Sequence, residues 1–194
     1  GDVYKRQGMV NKYITNVSSD FEVDDELGET KARDGAIATI GGLITEKTIK
    51  TTKKGQLMAF LTVEDVVGTV EVVVFPNSFT ANRVVIDHAE KVFVTGKVQA
   101  NVDENAKLIC DKVVDFASIP RKLWIRFASL SDYEDKKDEL YGILYNSDGK
   151  DTVVIYCTKE NKRLTLPASR TIRVDSELIQ KLQAMYGEKN VTTT

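Results

Sequence analysis

The sequence predicts a mostly β protein with an α+β part, a five-stranded barrel followed by a small α+β sandwich. Five apolar, β-branched runs lie between positions 36 and 116, and turn-like breaks separate them. After Ile119-Pro120, strand-like runs alternate with two stretches of helical spacing. The length of 194 residues allows two small domains, each with a core of its own.

The order of elements in the first region defines the type of barrel. The runs cover residues 36–50, 57–63, 69–75, 91–100 and 107–116, and the gap 76–90 is long enough for a short helix. Gly41-Gly42 interrupts the first run, so a long first strand can bend there and pair twice. This is the order of elements in the OB-fold barrel: a kinked first strand, a hairpin, a helix between strands three and four, and a closing hairpin.

The second region alternates strands and helices. Strands are predicted at 122–127, 152–157, 163–166 and 171–174, and a last strand can follow near the end. Ser131 is the candidate N-cap of a helix over 131–146, and Gly187 ends a helix over 175–186. We expect Trp124 to pack in the core rather than to contact a partner. The charge from position 119 onward is only +2, which favours protein docking over DNA binding for this half.

The flanking segments set the domain boundaries. Residues 1–7 back-translate to a sequence that resembles a transposon-end adapter used in sequencing libraries, so they are interpreted as an artefact and the chain as a fragment. Residues 8–34 hold three basic and seven acidic residues and are interpreted as an acidic linker. The predicted domains are then 35–118 and 119–194.

Composition argues against several classes of protein. No run reaches the roughly 18 apolar residues of a membrane span, and no secretory signal is visible, so we expect a cytoplasmic protein with no membrane partner. Cys110 and Cys157 have no metal-ligand spacing and are expected to be buried, while His88 is expected in a solvated polar turn. Asp65 before Gly68 is interpreted as a turn residue rather than a metal ligand. No catalytic motif is present, so we predict no catalytic residue, metal or cofactor for this chain.

The candidate functional residues are basic and lie around the barrel. Lys47, Lys50, Lys53 and Lys54 fall within eight residues of the predicted first loop, and no acid occurs from Lys47 to Val63. Ammonium groups at such a loop can neutralise phosphates of a nucleic acid. OB-folds bind ligands across strands two and three, between this loop and the loop 101–106, near which Lys97 and Lys107 lie.

Strand two supplies a candidate stacking residue. Met58, Phe60 and Thr62 alternate with Ala59 and Leu61, so the two sets point to opposite faces. If the first set points outward, the Phe60 ring can stack on a base; if it points inward, Phe60 is core. Periodicity alone leaves these two alternatives equal, because a register error of one residue exchanges them.

Several runs resemble the C-terminal part of bacterial DNA polymerase III alpha subunits. In the barrel these are Ile40-Gly41-Gly42-Leu43-Ile44-Thr45-Glu46-Lys47, Met58-Ala59-Phe60-Leu61-Thr62-Val63-Glu64-Asp65 and Gly68-Thr69-Val70-Glu71-Val72-Val73-Val74-Phe75-Pro76. In the second half they are Lys122-Leu123-Trp124-Ile125-Arg126-Phe127 and Arg163-Leu164-Thr165-Leu166-Pro167. The resemblance runs from about Tyr13 to Val191 and is more specific in the barrel.

The resemblance implies a parent polymerase that uses magnesium and deoxynucleoside triphosphates, with its catalytic carboxylates upstream of this chain. The chain itself would then be inactive as a polymerase. The family associates the OB-fold with single-stranded template DNA, and the C-terminal domain with the tau subunit of the clamp loader and other replisome proteins. The pattern from Phe60 to Val70 also resembles the anticodon-binding OB-fold of class II aminoacyl-tRNA synthetases, which implies an outward Phe60 and a base contact at Glu71.

Two other functions remain open at this point. The chain could be an anticodon-type RNA-binding module, although a synthetase would continue into a large catalytic domain rather than a small α+β unit. It could also be a pure protein-docking module. Replacing the four lysines by glutamate would leave DNA affinity unchanged in that last case.

Overall fold

The computed structural model describes residues 13–194, which form two units that divide between Ile119 and Pro120. The proposed adapter sequence, residues 1–7, lies outside the described residues. The first unit is a closed five-stranded barrel and the second is a four-stranded sheet with helices, so the predicted fold class is confirmed.

The barrel strands are β1 (Ile37–Thr51), β2 (Leu57–Glu64), β3 (Thr69–Val74), β4 (Lys91–Gln99) and β5 (Lys107–Asp115), in the order β1-β2-β3-β5-β4. The first half of β1 pairs with β4 and its second half pairs with β2, which confirms the strand that pairs twice. The change of partner falls beside Gly42, where a Cβ would lie 2.2 Å from the carbonyl oxygen of Glu64. Only glycine allows this close backbone approach.

Helix α1 (Pro76–His88) closes one end of the barrel, as the gap between strands three and four predicted. Its Phe79 and Ile86 are buried in the barrel core. Asn82 is also buried: its Nδ2 donates to the carbonyl of Asp111 at 3.1 Å, and its Oδ1 accepts from the amide of Val113 at 2.9 Å. The side chain therefore satisfies backbone groups where the β4–β5 register shifts.

The acidic segment before the barrel does not behave as the predicted linker from Tyr13 onward. Phe21 and Ala32 are 1% and 4% exposed and belong to the barrel core. The amide of Ala106 donates to the carbonyl of Phe21 at 2.8 Å, which ties the segment to the start of β5. The linker prediction was wrong because it weighed net charge, whereas the few apolar side chains of the segment decide its packing.

The second unit contains β6 (Lys122–Phe127), α2 (Leu130–Leu144), β7 (Thr152–Cys157), β8 (Lys162–Thr165), α3 (Ser176–Tyr186) and β9 (Val191–Thr193). Its sheet has the order β8-β7-β6-β9, and only the β6–β7 pair is parallel. The core contains Leu123, Ile125 and Phe127 of β6 together with Leu140 of α2 and Leu182 of α3. Both helices therefore pack on one face of the sheet.

Three local predictions in this unit need correction. The N-cap of α2 is Ser129, whose Oγ accepts from the amide of Asp132 at 3.1 Å, and not Ser131. The run 171–174 forms only a single bridge between Ile172 and Asp151 rather than a strand. Trp124 is partly exposed on the face opposite the helices, so the expected core position was wrong.

The remaining local predictions concern single residues. Cys110 and Cys157 are free and buried, as expected, and burial raises the pKa of both thiols. His88 is exposed but is the last residue of α1 rather than part of a turn. Among residues 13–194, no helix is both long and apolar enough to cross a membrane.

Candidate nucleic-acid interface

Strand β2 presents Phe60 on the outside of the barrel. Ala59, Leu61 and Val63 are at most 2% exposed and fill the core, whereas Met58, Phe60 and Thr62 are partly exposed. The alternation therefore resolves in favour of an outward Phe60. The ring is available for stacking because it lines a cleft on this face.

A lysine lies over the Phe60 ring. The Nζ of Lys50 is 5.2 Å from the ring centroid, in cation–π range. Lys50 pairs in register with Met58, and Thr48 pairs with Phe60, so β1 and β2 place the ammonium group and the ring side by side. The pair combines a flat apolar surface with a positive charge.

The cleft beside Phe60 has a volume of about 720 Å³ and lies within the barrel unit. Strands β1, β2 and β3 form its floor, and residues 104–107 form one wall. The other wall comes from Phe21 and Glu22 of the acidic segment.

Carboxylates dominate the lining of this cleft. Four glutamates line it, namely Glu22, Glu46, Glu71 and Glu104. Lys107 is the lining residue with a positive charge, and its Nζ lies 3.6 Å from a carboxylate oxygen of Glu71. The cleft interior therefore disfavours phosphate groups and favours groups that donate hydrogen bonds.

A partly buried hydrogen-bond network holds the segment that supplies the Phe21 and Glu22 wall. Asp65 Oδ2 accepts from the amide of Ser18 at 2.7 Å and Asp65 Oδ1 accepts from its hydroxyl at 2.6 Å. Asp65 Oδ1 also accepts from the amides of Val67 and Gly68, both at 2.9 Å, which confirms its predicted role in the turn. Burial opposes ionisation, but these hydrogen bonds outweigh it and lower the pKa of Asp65.

The structure brings together some of the predicted site residues. Phe60, Thr62, Glu71 and Lys107 line the cleft, while Lys50 lies over the ring. Met58 shares the outer face of β2 with Phe60. Lys53 and Lys54 are exposed in the turn between β1 and β2, beyond the end of the strand that carries Lys50.

Lys47 and Lys97 lie away from the cleft. Lys47 belongs to β1, as Lys50 does, rather than to a loop, and the odd spacing of these two lysines places them on opposite faces of the strand. The Nζ of Lys47 donates to the carbonyl of Ile86 at 3.3 Å and lies 3.6 Å from a carboxylate oxygen of Asp87, both on α1. Lys97 lies on β4 in register with Ile37 and Ile109, outside the cleft.

Sequence reasoning missed part of the cleft. Glu46 and Thr48 share the outward face of β1 with Lys50, and the same alternation that was applied to β2 identifies them. Phe21 could also have been identified, since a large apolar residue is unexpected in a solvated acidic linker and indicates that the segment packs on a core. Glu104 lies in the loop 101–106, where only neighbouring lysines were considered.

The barrel is similar to a class of nucleic-acid-binding domains. Residues 38–115 match the family model described as an OB-fold nucleic acid binding domain, named tRNA_anti-codon. The barrel strands and the cleft on β2 and β3 occupy this range.

Over most of its length the chain is similar to bacterial DNA polymerase III alpha subunits, which confirms the resemblance seen in the sequence. The subunit from Bacillus subtilis is 31% identical over 160 residues, which cover 79% of this chain and 14% of that protein. The subunit from Halalkalibacterium halodurans is 25% identical over 175 residues, 88% of this chain and 16% of that protein. The subunit from Aquifex aeolicus is 26% identical over 157 residues, 76% of this chain and 14% of that protein. The chain thus spans about a seventh of the length of these relatives.

Proposed function

We propose that this chain is the non-catalytic C-terminal part of a replicative DNA polymerase alpha subunit, and that its barrel binds single-stranded DNA. The observation that carries the proposal is the outward Phe60 ring beneath Lys50, beside a cleft on the ligand-binding face of an OB-fold. The similarity to DNA polymerase III alpha subunits supports DNA as the nucleic acid. The parent would be a DNA-directed polymerase with magnesium and deoxynucleoside triphosphates at a site outside this chain.

The charges around Phe60 orient the bound strand. The phosphates follow Lys50, Lys53 and Lys54, none of which forms an ion pair within the described part of the chain. A base then stacks on Phe60 and turns its polar edge toward the carboxylates of the cleft. The polar edge of thymine carries fewer hydrogen-bond donors than that of cytosine, adenine or guanine, so thymine can donate fewer hydrogen bonds to these carboxylates.

The test is fluorescence-anisotropy titration of a labelled single-stranded DNA oligonucleotide across a salt series, with duplex DNA and RNA in parallel. Phe60→Ala weakens binding by about 5- to 150-fold, since base stacking contributes roughly 1 to 3 kcal/mol. The matched control is Phe75→Ala, because Phe75 is 50% exposed on the barrel unit but does not line the cleft. Tighter binding to RNA than to DNA favours the anticodon-type function, and no binding at low salt overturns nucleic-acid binding by the barrel.

The lysines are tested in the same assay. Replacing Lys50, Lys53 and Lys54 together by glutamate lowers affinity and flattens the dependence of affinity on salt, because fewer counterions are released. The matched control is Lys91→Glu, an exposed lysine at the start of β4 that does not line the cleft. Equal effects of the two changes contradict a localised phosphate track.

For the second unit we propose docking to the tau subunit of the clamp loader within a replisome in the cytoplasm, on the basis of the polymerase relatives. Size-exclusion chromatography of this chain with purified tau subunit tests it, and a stable complex is the expected result. The chain alone is expected to extend no primer in the presence of magnesium and deoxynucleoside triphosphates. Separate elution of the two proteins overturns the docking.

A further inference from the structure

The second unit has a sheet face without helices among the described residues. It consists of alternate residues of the four strands, beginning with Lys122 on β6, Thr152 on β7, Arg163 on β8 and Thr192 on β9; we call it the open sheet face. The opposite face carries both helices and the core. The open sheet face therefore needs its own explanation.

Charge is separated between the two sides of this unit. The open sheet face holds Lys122, Arg126 and Arg163, all exposed, and none of its residues is Asp or Glu. Helix α2, on the other side, carries five carboxylates, Asp132, Glu134, Asp135, Asp138 and Glu139. The net charge of this half is therefore small because the basic open sheet face and the acidic helix α2 on the opposite side largely cancel.

Two aromatic side chains lie among these cations. Trp124 is partly exposed between Lys122 and Arg126 along β6, and Tyr156 on β7 pairs in register with Arg126. The guanidinium of Arg163 lies 5.6 Å from the Trp124 ring centroid. Flat rings interleaved with positive charges suit bases and phosphates of a flexible strand.

Hydrogen bonds hold these side chains in place before any ligand binds. The indole Nε1 of Trp124 donates to Thr194 Oγ1 at 3.0 Å, and the hydroxyl of Tyr156 donates to Asn161 Oδ1 at 3.1 Å. The Nε of Arg126 donates to Asn190 Oδ1 at 2.9 Å. Ordering these groups in advance lowers the entropic cost of binding.

We propose that the open sheet face is a second binding site for single-stranded nucleic acid, separate from the barrel cleft. Phosphates contact Lys122, Arg126 and Arg163, and bases stack on Trp124 and Tyr156. An acidic peptide would satisfy the cations but would leave both rings without partners of matching shape, so nucleic acid fits the face better. Duplex DNA binds less well, because its bases are already stacked on one another.

Trp124 makes the site directly observable, because it is the only tryptophan in the chain. Titration with a short single-stranded DNA oligonucleotide should quench its fluorescence as bases stack on the ring. The quenching should persist in the Phe60→Ala, Lys50→Glu double variant, in which the barrel site is lost. This readout keeps the failure of the barrel proposal distinct from the failure of this one.

Charge reversal supplies the second readout. Arg163→Glu on the edge strand β8 and, independently, Lys122→Glu should each weaken the quenching titration about tenfold, since each removes a cation and adds a repulsive charge. Lys181→Glu is the matched control, because Lys181 is an exposed lysine of α3 on the helix side. Circular dichroism establishes that each variant is folded before titration.

Three results overturn the proposal. One is the absence of quenching at low salt in the unaltered chain. Another is quenching that Lys181→Glu weakens as much as Arg163→Glu does. The third is equal or stronger quenching by a poly-glutamate peptide, which would assign the face to an acidic protein partner.

Discussion

The barrel cleft and the open sheet face both place a cation over an aromatic ring, but the charges of the surrounding residues differ in sign. In each, a cation lies over an outward aromatic ring, Lys50 over Phe60 at 5.2 Å and Arg163 over Trp124 at 5.6 Å. Four glutamates line the cleft around Phe60, whereas the described residues of the open sheet face include no Asp or Glu. An aromatic ring and a cation therefore do not specify how a strand binds; the neighbouring charges decide whether a base or a phosphate can approach.

The largest effect is expected from removing the hydrogen bonds that hold the cleft wall in place. Asp65→Ala removes the acceptor of the Val67 and Gly68 amides, and leaves the amide and hydroxyl of the buried Ser18 without this acceptor. We expect the free energy of unfolding of the barrel unit to fall by about 1 to 3 kcal/mol. Denaturant unfolding measures this, and Asp25→Ala, at an exposed carboxylate on the same unit, is the control. An unchanged midpoint for Asp65→Ala contradicts a structural role for the network.

The same carboxylate gives the barrel a predicted acid sensitivity. Because the pKa of Asp65 is lowered by folding, its charged form contributes stability above the unfolded value near 3.8, and this contribution is lost as pH falls through the lower folded value. The difference in stability between the unaltered chain and Asp65→Ala should therefore be full at pH 7 and shrink below about pH 4. A difference that stays constant down to pH 2 contradicts it.

An intermediate effect is expected from neutralising the cleft. Glu46→Gln with Glu71→Gln removes two carboxylates and frees Lys107 from its ion pair. We expect single-stranded DNA to bind about 2- to 10-fold more tightly at low salt, and less so at high salt, because exposed charges are screened. The control is Glu90→Gln, an exposed glutamate that does not line the cleft. The glutamine amide oxygens can still accept hydrogen bonds from a base edge, so weaker binding of the double variant would contradict repulsion between these two carboxylates and the phosphates.

The smallest effect separates two lysines on one strand. Lys50→Gln should reduce the slope of log affinity against log salt by about one unit, since one phosphate contact is lost. Lys47→Gln should leave the slope unchanged, because the Lys47 ammonium is held at α1 by Asp87 and the Ile86 carbonyl. Equal slopes for the two variants contradict the assignment of opposite strand faces.

The sequence by itself determined most elements and their order. Apolar β-branched runs and turn residues located all five barrel strands, and Gly41-Gly42 located the bend in β1, because these signals depend on neighbouring residues. The long gap between the third and fourth strand-like runs located α1, and the motifs between Ile40 and Pro76 were specific enough to identify the relatives. Helix boundaries were predicted less accurately, as Ser129 rather than Ser131 at the start of α2 shows.

Only the tertiary structure decided which way side chains point and which distant segments meet. Alternation along β2 separates Phe60 from Leu61, but the core alone determines which of them faces inward. The same reason applies to Trp124, whose neighbours Leu123 and Ile125 occupy the core. The contact between Ser18 and Asp65 joins positions 47 residues apart, and no local pattern encodes such a contact. The residues that line the barrel cleft and the open sheet face are therefore determined by long-range packing.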